Sequence, residues 1–267
     1  MKLYIRFIIF LMLGFSPLVC NAQKVQHKSN TKVARKKNSH VNSQKSKNQR
    51  LAQMAKDACD AFEKKQYNRA IGLMEEYKKE KPLPSYGYYM LTLSCLKTAQ
   101  DERCVEYGKE WERVDPNSHD EECRAWIYAN IGVGNANLNR FEDSNLYFKR
   151  SAELNKKSHH QQYVRDCESI GYNYWSMSQY EEARKWFELS ATGWNKVLKI
   201  SFADIEAGKV NHIELGRVLY DWAMCHYTCG DNDEGNRIVR MTAKCHYEEA
   251  EQFCRDHLSN KAEMENN

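Results

Sequence analysis

Helix breakers are scarce in this chain, with four prolines and twelve glycines in 267 residues. Three of the prolines, Pro82, Pro84 and Pro116, fall between helical patterns rather than within them. That shortage excludes a turn-rich architecture. With abundant Ala, Glu, Lys, Tyr and Leu it favours an all-helical one. Catalytic signatures are missing too. The sequence holds no glycine-rich phosphate loop, no Gly-x-Ser-x-Gly and no His-Glu-x-x-His, so the chemistries those motifs carry have no footing. The pairs Glu75-Glu76 and Glu181-Glu182 read as solvated helix faces, and His159-His160 as an exposed connection. The chain is expected to be no enzyme and to need no cofactor.

Long apolar runs are missing after the first residues. Phe7 to Val19 is an apolar run broken at Ser16-Pro17. As a helix it rises about 20 Å, against a bilayer core of about 30 Å. Lys2 and Arg6 precede it, and Cys20-Asn21-Ala22 offers small residues where a signal peptidase reads them. Residues 1–22 are therefore expected to be a cleaved signal peptide, with export to the periplasm or the exterior and no membrane span afterwards. Lipid attachment at Cys20 is disfavoured by the bulky Val19 before it.

Acidic residues are absent from positions 1–50, which carry 11 Lys and Arg. Positions 51–267 hold the other 29 basic and all 36 acidic residues, a net of −7. Residues 23–50 are polar, of low complexity and without aromatics, so little apolar burial offsets the entropy of ordering them. They read as a disordered basic linker, suited to contact with anionic lipid or glycan; nucleic acid is not an expected partner. Residues 51–260 form the folded domain, and 261–267 a disordered tail.

Ten cysteines are present, and loss of Cys20 with the signal leaves an odd nine. At least one thiol of a monomer is then unpaired. The cluster Cys225, His226, Cys229, Cys245 and His246 matches no familiar zinc module. These thiols are read as helix packing, and no metal is expected.

From Leu51 onward the pattern repeats. Gln66-Tyr67-Asn68-Arg69-Ala70-Ile71 returns loosely as Gln179-Tyr180-Glu181-Glu182-Ala183-Arg184 and as Arg140-Phe141-Glu142-Asp143-Ser144. Pro82 and Pro116 lie 34 residues apart. Repeats can be started at Leu51, Ser85, Ala125, Val164 and Gly216, with insertions at 119–124 and 198–215. Position 8 is then Ala58, Thr92, Gly132, Gly171 and Ala223; position 20 is Ala70, Cys104, Ser144, Ala183 and Gly235. All ten are small, as two closely crossing helices require. Position 17 carries an aromatic in three repeats (Tyr67, Phe141, Tyr180), and position 24 reads Met74, Gly108, Phe148, Phe187 and Val239. Tyr247 to Leu258 reads as a polar closing helix.

This pattern resembles the tetratricopeptide repeat over about 170 residues. The resemblance implies an all-α, right-handed superhelical solenoid of about five helix pairs with a C-terminal capping helix. It also implies that first helices line a concave face and that their positions 2, 5, 6, 9, 12 and 13 contact ligands. Carried over, those positions give Tyr86, Tyr89, Leu93 and Leu96, then Trp126, Asn130, Val133 and Asn137. Repeat four gives Arg165, Glu168, Tyr172 and Trp175; repeat five gives Arg217, Tyr220, Asp221, Met224 and Tyr227. The basic clamp that some members close on a peptide carboxylate is not expected, because Tyr89 and Leu93 stand where it needs Lys and Asn. Cys95 and Cys104, at positions 11 and 20 of facing helices, are a candidate disulfide.

The expected ligand groove is Tyr86, Tyr89, Trp126, Asn130, Asn137, Arg165, Tyr172 and Trp175. Aromatics give large contact area at low entropic cost, which suits an extended polypeptide. The expected function is an adaptor or scaffold of the cell envelope whose partner is another protein. A self-assembling envelope component and a glycan-binding module are the alternatives.

Overall fold

The computed structural model describes residues 35–258 apart from 116, 117, 119 and 159. The expected signal peptide, the linker up to residue 34 and the C-terminal tail lie outside the described residues. Five antiparallel helix pairs follow in order: α1 (Arg35–Glu63) with α2 (Tyr67–Glu80), α3 (Ser85–Lys97) with α4 (Asp101–Val114), and α5 (Glu121–Asn137) with α6 (Phe141–Ser158). Next come α7 (His160–Ser176) with α8 (Tyr180–Leu198), a short α9 (Phe202–Glu206), then α10 (Ile213–Thr228) with α11 (Asn232–Ala243). The chain closes with α12 (Glu248–Phe253) and a π-helical turn (Cys254–Leu258). Each helix packs on its partner, and each second helix packs on the next first helix, α8 reaching past α9 to α10. The result is an all-α solenoid.

The small residues explain the pairing. All ten side chains or glycines at positions 8 and 20 are buried. A Cβ on Gly132 would stand 3.0 Å from the Phe148 ring, and one on Gly171 would stand 3.0 Å from the Phe187 ring. Position 8 is thus a socket for the aromatic at position 24 of the same pair. Ser144 at position 20 ties across as well, its hydroxyl donating to the Gly132 carbonyl at 2.7 Å.

The backbone supplies an independent register mark. Position 15 of every pair is left-handed: Lys65 (φ 59°), Ala99 (55°), Asn139 (58°), Ser178 (60°) and Gly230 (83°). Each is followed by an N–H reaching five residues back, Gln66 to Ala61, Gln100 to Cys95, Arg140 to Asn135, Gln179 to Tyr174 and Asp231 to His226, at 2.8–2.9 Å. This is the Schellman closure that turns the first helix into the second. It places the fifth pair in the register expected from Gly216. At Gly230 an added Cβ meets nothing within 4 Å, so only the backbone resists substitution. Gly230→Val is expected to cost about 1–2 kcal/mol, read as a lower urea midpoint.

The structure refines the expected boundaries in three places. Helix α1 is described from Arg35, so residues 35–50, expected as part of the linker, are helical here. The stretch has no Gly or Pro, and it continues a helix already nucleated by the packed Leu51, Ala58 and Ala61. Lys47 and Arg50 also pair with Glu80 of α2, at 2.7 and 2.6 Å. The insertion at 119–124 is largely an extra turn of α5, begun where the Asp120 carboxylate caps the Cys123 N–H at 2.9 Å. The insertion at 198–215 holds α9, started by a capping box between Ser201 and Asp204. Its Ile205 is buried in the core, and Phe202 packs on the Trp222 ring at 6.1 Å.

The apolar core divides in two. One cluster spans the first three pairs, including Leu91, Trp111, Ile127 and Ile131. The other spans the last two pairs and the cap, including Phe187, Trp194, Leu219, Tyr247 and Leu258. Between them lies a small patch of Val133, Phe148 and Ile170.

Candidate functional site

The first helices α3, α5, α7 and α10 carry the residues assigned to the groove, and the structure sorts them into three stretches. At the N-terminal end Tyr86 and Tyr89 are half-buried, with ring centroids 5.6 Å apart. Phe62 stands edge-on to Tyr89 at 6.0 Å and to Tyr67 at 6.0 Å. Burial raises the Tyr89 hydroxyl above its ordinary value. Phe62 was missed from sequence only because the concave positions were not carried onto the first pair, where it falls at position 12.

The middle stretch is more committed than expected. Trp126 is half-buried. Asn130 is buried, and its amide donates to Thr92 Oγ1 of α3 at 3.0 Å. Asn137 donates to Asp101 Oδ1 of α4 at 2.8 Å. Both amides, expected in the ligand groove, tie neighbouring pairs together in this structure. The seven-residue spacing that puts both on one face also puts them against the preceding pair.

The C-terminal stretch is a charged cluster between α7 and α10. The Tyr172 hydroxyl donates to Asp221 Oδ2 and accepts from Arg217 Nη1. Arg217 Nη2 pairs with Glu168 Oε1, and Nη1 lies 3.8 Å from Asp221 Oδ2. The guanidinium also sits over the Tyr172 ring at 5.7 Å. Glu168 is only 3% exposed. Burial raises its carboxyl, and the opposing pull of Arg217 does not cancel that. Burial first, then the Asp221 charge, holds the Tyr172 hydroxyl well above its ordinary value. The Tyr172 ring meets Phe187 edge-on at 5.1 Å. Arg165 is half-buried. Trp175, also half-buried, meets Tyr180 edge-on at 5.0 Å. Sequence position put Glu168, Arg217 and Asp221 on the right face, but their mutual pairing depends on how far α7 stands from α10.

Cys95 and Cys104 are both buried free thiols, so the candidate disulfide is not formed in this structure. Burial pushes the Cys95 thiol up to about 12 and the Cys104 thiol well above its ordinary value. Cys104 Sγ instead donates to the Asn130 carbonyl at 3.4 Å. His226 Nδ1 lies 2.9 Å from Asp231 Oδ2 in the turn between α10 and α11. Among the described residues no group of three His, Cys, Asp or Glu side chains could hold a metal. No helix among them is long and apolar enough to cross a membrane.

No family model and no curated protein matches the chain. Solved structures do. A crystal structure of MamA superposes with a TM-score of 0.55 at 16% identity, over 77% of this chain and 96% of that one. MamA from AMB-1 gives 0.57 at 13% identity, over 74% and 92%. A kinesin light chain of nearly identical TPR-like repeats from Podosopora anserina gives 0.55 at 13% identity, over 73% and 94%. At these identities the likeness is one of fold, and it is a likeness to tetratricopeptide-type helical repeats.

Proposed function

We propose that this chain is a non-enzymatic interaction scaffold of the cell envelope that holds an extended segment of another protein along its first helices. The observation that carries the reading is the row of half-buried side chains on that face: Tyr86, Tyr89, Trp126, Arg165, Tyr172 and Trp175. Stacked pairs fix these groups on a rigid surface before a ligand arrives, which lowers the entropic cost of binding. Rings that present part of their area to water supply the apolar anchor. The expected signal peptide supports export, and the basic segment ahead of the repeats supports a second, electrostatic contact with anionic lipid or glycan.

The test uses the full mature chain as bait for envelope polypeptides, beside a Tyr86→Ala/Trp126→Ala variant. Retention of a defined polypeptide is expected to fall by about 10-fold or more in the variant, since anchors of this kind are worth about 2 kcal/mol each. Its unfolding midpoint is expected to stay near the parent's. Undiminished retention would remove the groove from the function. A loss of helicity would show the two rings to be core.

A further inference from the structure

The boundary between the two halves of the core sets a buried polar cluster beside the small apolar patch of Val133, Phe148 and Ile170. Asp166 of α7 is fully buried there. Its Oδ2 accepts from Ser151 Oγ at 2.7 Å and from Asn155 Nδ2 at 3.2 Å, both on α6. Its Oδ1 accepts from Gln162 Nε2 at 2.9 Å. Asn155 Nδ2 also reaches Ser151 Oγ at 3.1 Å. Two turns along, Asn173 of α7 bridges Ser144 and Asn145 of α6, both at 2.8 Å. Beside that apolar patch, the seam between pairs three and four therefore carries buried amides, hydroxyls and one carboxylate.

Among the described residues none of the Asp166 partners is a cation. From α6 the charged neighbours are Glu153 and Lys156, whose fields act on Tyr163 and Cys167. On α7 the titratable neighbours are Tyr163, which bonds Cys167, then Cys167 itself, the half-buried Arg165, the buried Glu168 and the exposed His160. On the other side α8 presents neutral groups: Ser190, whose hydroxyl donates to the Val164 carbonyl at 3.2 Å, and Gly193 against the Val164 side chain. A carboxylate held by neutral donors in a buried seam is costly in its charged form. Protonated, the same group can donate to Ser151 Oγ, which lies at hydrogen-bond distance, and the cost is relieved.

We propose that Asp166 is a proton-operated latch between the two halves of the solenoid, closing the α6–α7 seam when protonated and loosening it when ionised. The seam separates Tyr86, Tyr89 and Trp126 from Arg165, Tyr172 and Trp175, so loosening it changes how one extended ligand spans both parts of the groove. Burial pushes the Asp166 carboxyl up to about 7, and its hydrogen bonds only partly oppose this. With the folded value raised, seam stability falls as pH rises from the ordinary carboxylate range to about 7 and is level above that.

The experiment is hydrogen exchange of the full chain from pH 5.5 to 8.5, corrected for the intrinsic rate. Between those limits the α6 and α7 amides are expected to open roughly 30-fold more often, from the shift of the folded value alone. Amides of α3 and α4 serve as the internal reference and are expected to stay flat. Asp166→Asn keeps the shape and removes the charge, and is expected to abolish the slope. A wild-type seam whose protection does not change with pH overturns the proposal, whatever the variant does. A slope that persists in Asp166→Asn overturns it as well, by assigning the titration to another group.

Discussion

Arg217→Met is expected to destabilise the chain by about 3–5 kcal/mol, because it strands a buried carboxylate. Glu168 is 3% exposed, and its Oε1 pairs with the Arg217 guanidinium. Met keeps much of the stem that packs beside Tyr172 and deletes the charge. The Glu168 carboxyl is already raised by burial in the intact protein, and without its partner it rises further. A raised folded value means that stability is present below the unfolded carboxylate range and is lost as pH climbs through the folded one. The deficit of Arg217→Met should therefore be full at neutral pH and shrink towards pH 4, which denaturant midpoints across that range would show. Glu168→Gln in the same background should recover most of the loss. If Arg217→Met costs nothing while partner retention falls, the cluster would be a ligand contact and not a tie between pairs four and five.

What sequence could reach and what it could not follow from the range of each constraint. Small residues at positions 8 and 20 report a distance within one helix pair, and that distance recurs every repeat, so the ten positions from Ala58 to Gly235 were legible. The left-handed position 15 was not, because Lys65, Ala99, Asn139 and Ser178 carry no glycine signal; only Gly230 does. The closing N–H bonds hold Lys65, Ala99 and Ser178 in a conformation their side chains do not favour. Helices α5, α7 and α10 begin three or four residues ahead of the repeat starts, at Glu121, His160 and Ile213. Extra turns at a helix N-terminus leave the repeat period inside the pair untouched. The groove was half legible. Position told which face Asn130 and Glu168 occupy, but it did not tell whether a neighbouring helix stands close enough to claim them. Thr92 and Arg217 do, from repeats either side. Asp166 was invisible as a site because a lone carboxylate in a helix reads as solvated until α6 is seen to cover it.

Phe187→Ala is expected to cost about 3–5 kcal/mol and to split one unfolding transition into two. The ring is fully buried, it fills the socket above Gly171, and it meets the Tyr172 ring edge-on at 5.1 Å. Deleting it removes the transfer energy of the side chain, leaves a cavity that helices held by neighbouring pairs cannot close, and loses an aromatic contact of about 0.5–1.5 kcal/mol. The damage falls in the C-terminal cluster of the core, next to the polar seam at Asp166. On the proposal above, that seam loosens when Asp166 is ionised, and the N-terminal half can then stay folded alone. Circular dichroism in urea should show an early loss for pairs four and five and a later one near the parent midpoint. The socket also predicts the sign of a coupling. Gly171→Ala alone places its Cβ 3.0 Å from the ring and should destabilise. In the Phe187→Ala background the same methyl enters the vacated space and should stabilise, while also favouring helix over glycine. The two changes together should therefore cost less than the sum of each alone, a non-additivity expected only of groups in direct contact. Additive costs would mean that the α7–α8 crossing is set elsewhere, and the small residues at position 8 would lose their explanation. Because Phe187 buttresses Tyr172, the single variant should also loosen the hydroxyl that Arg217 and Asp221 share. The packing of one helix pair thus reaches the charged end of the groove through a single aromatic contact.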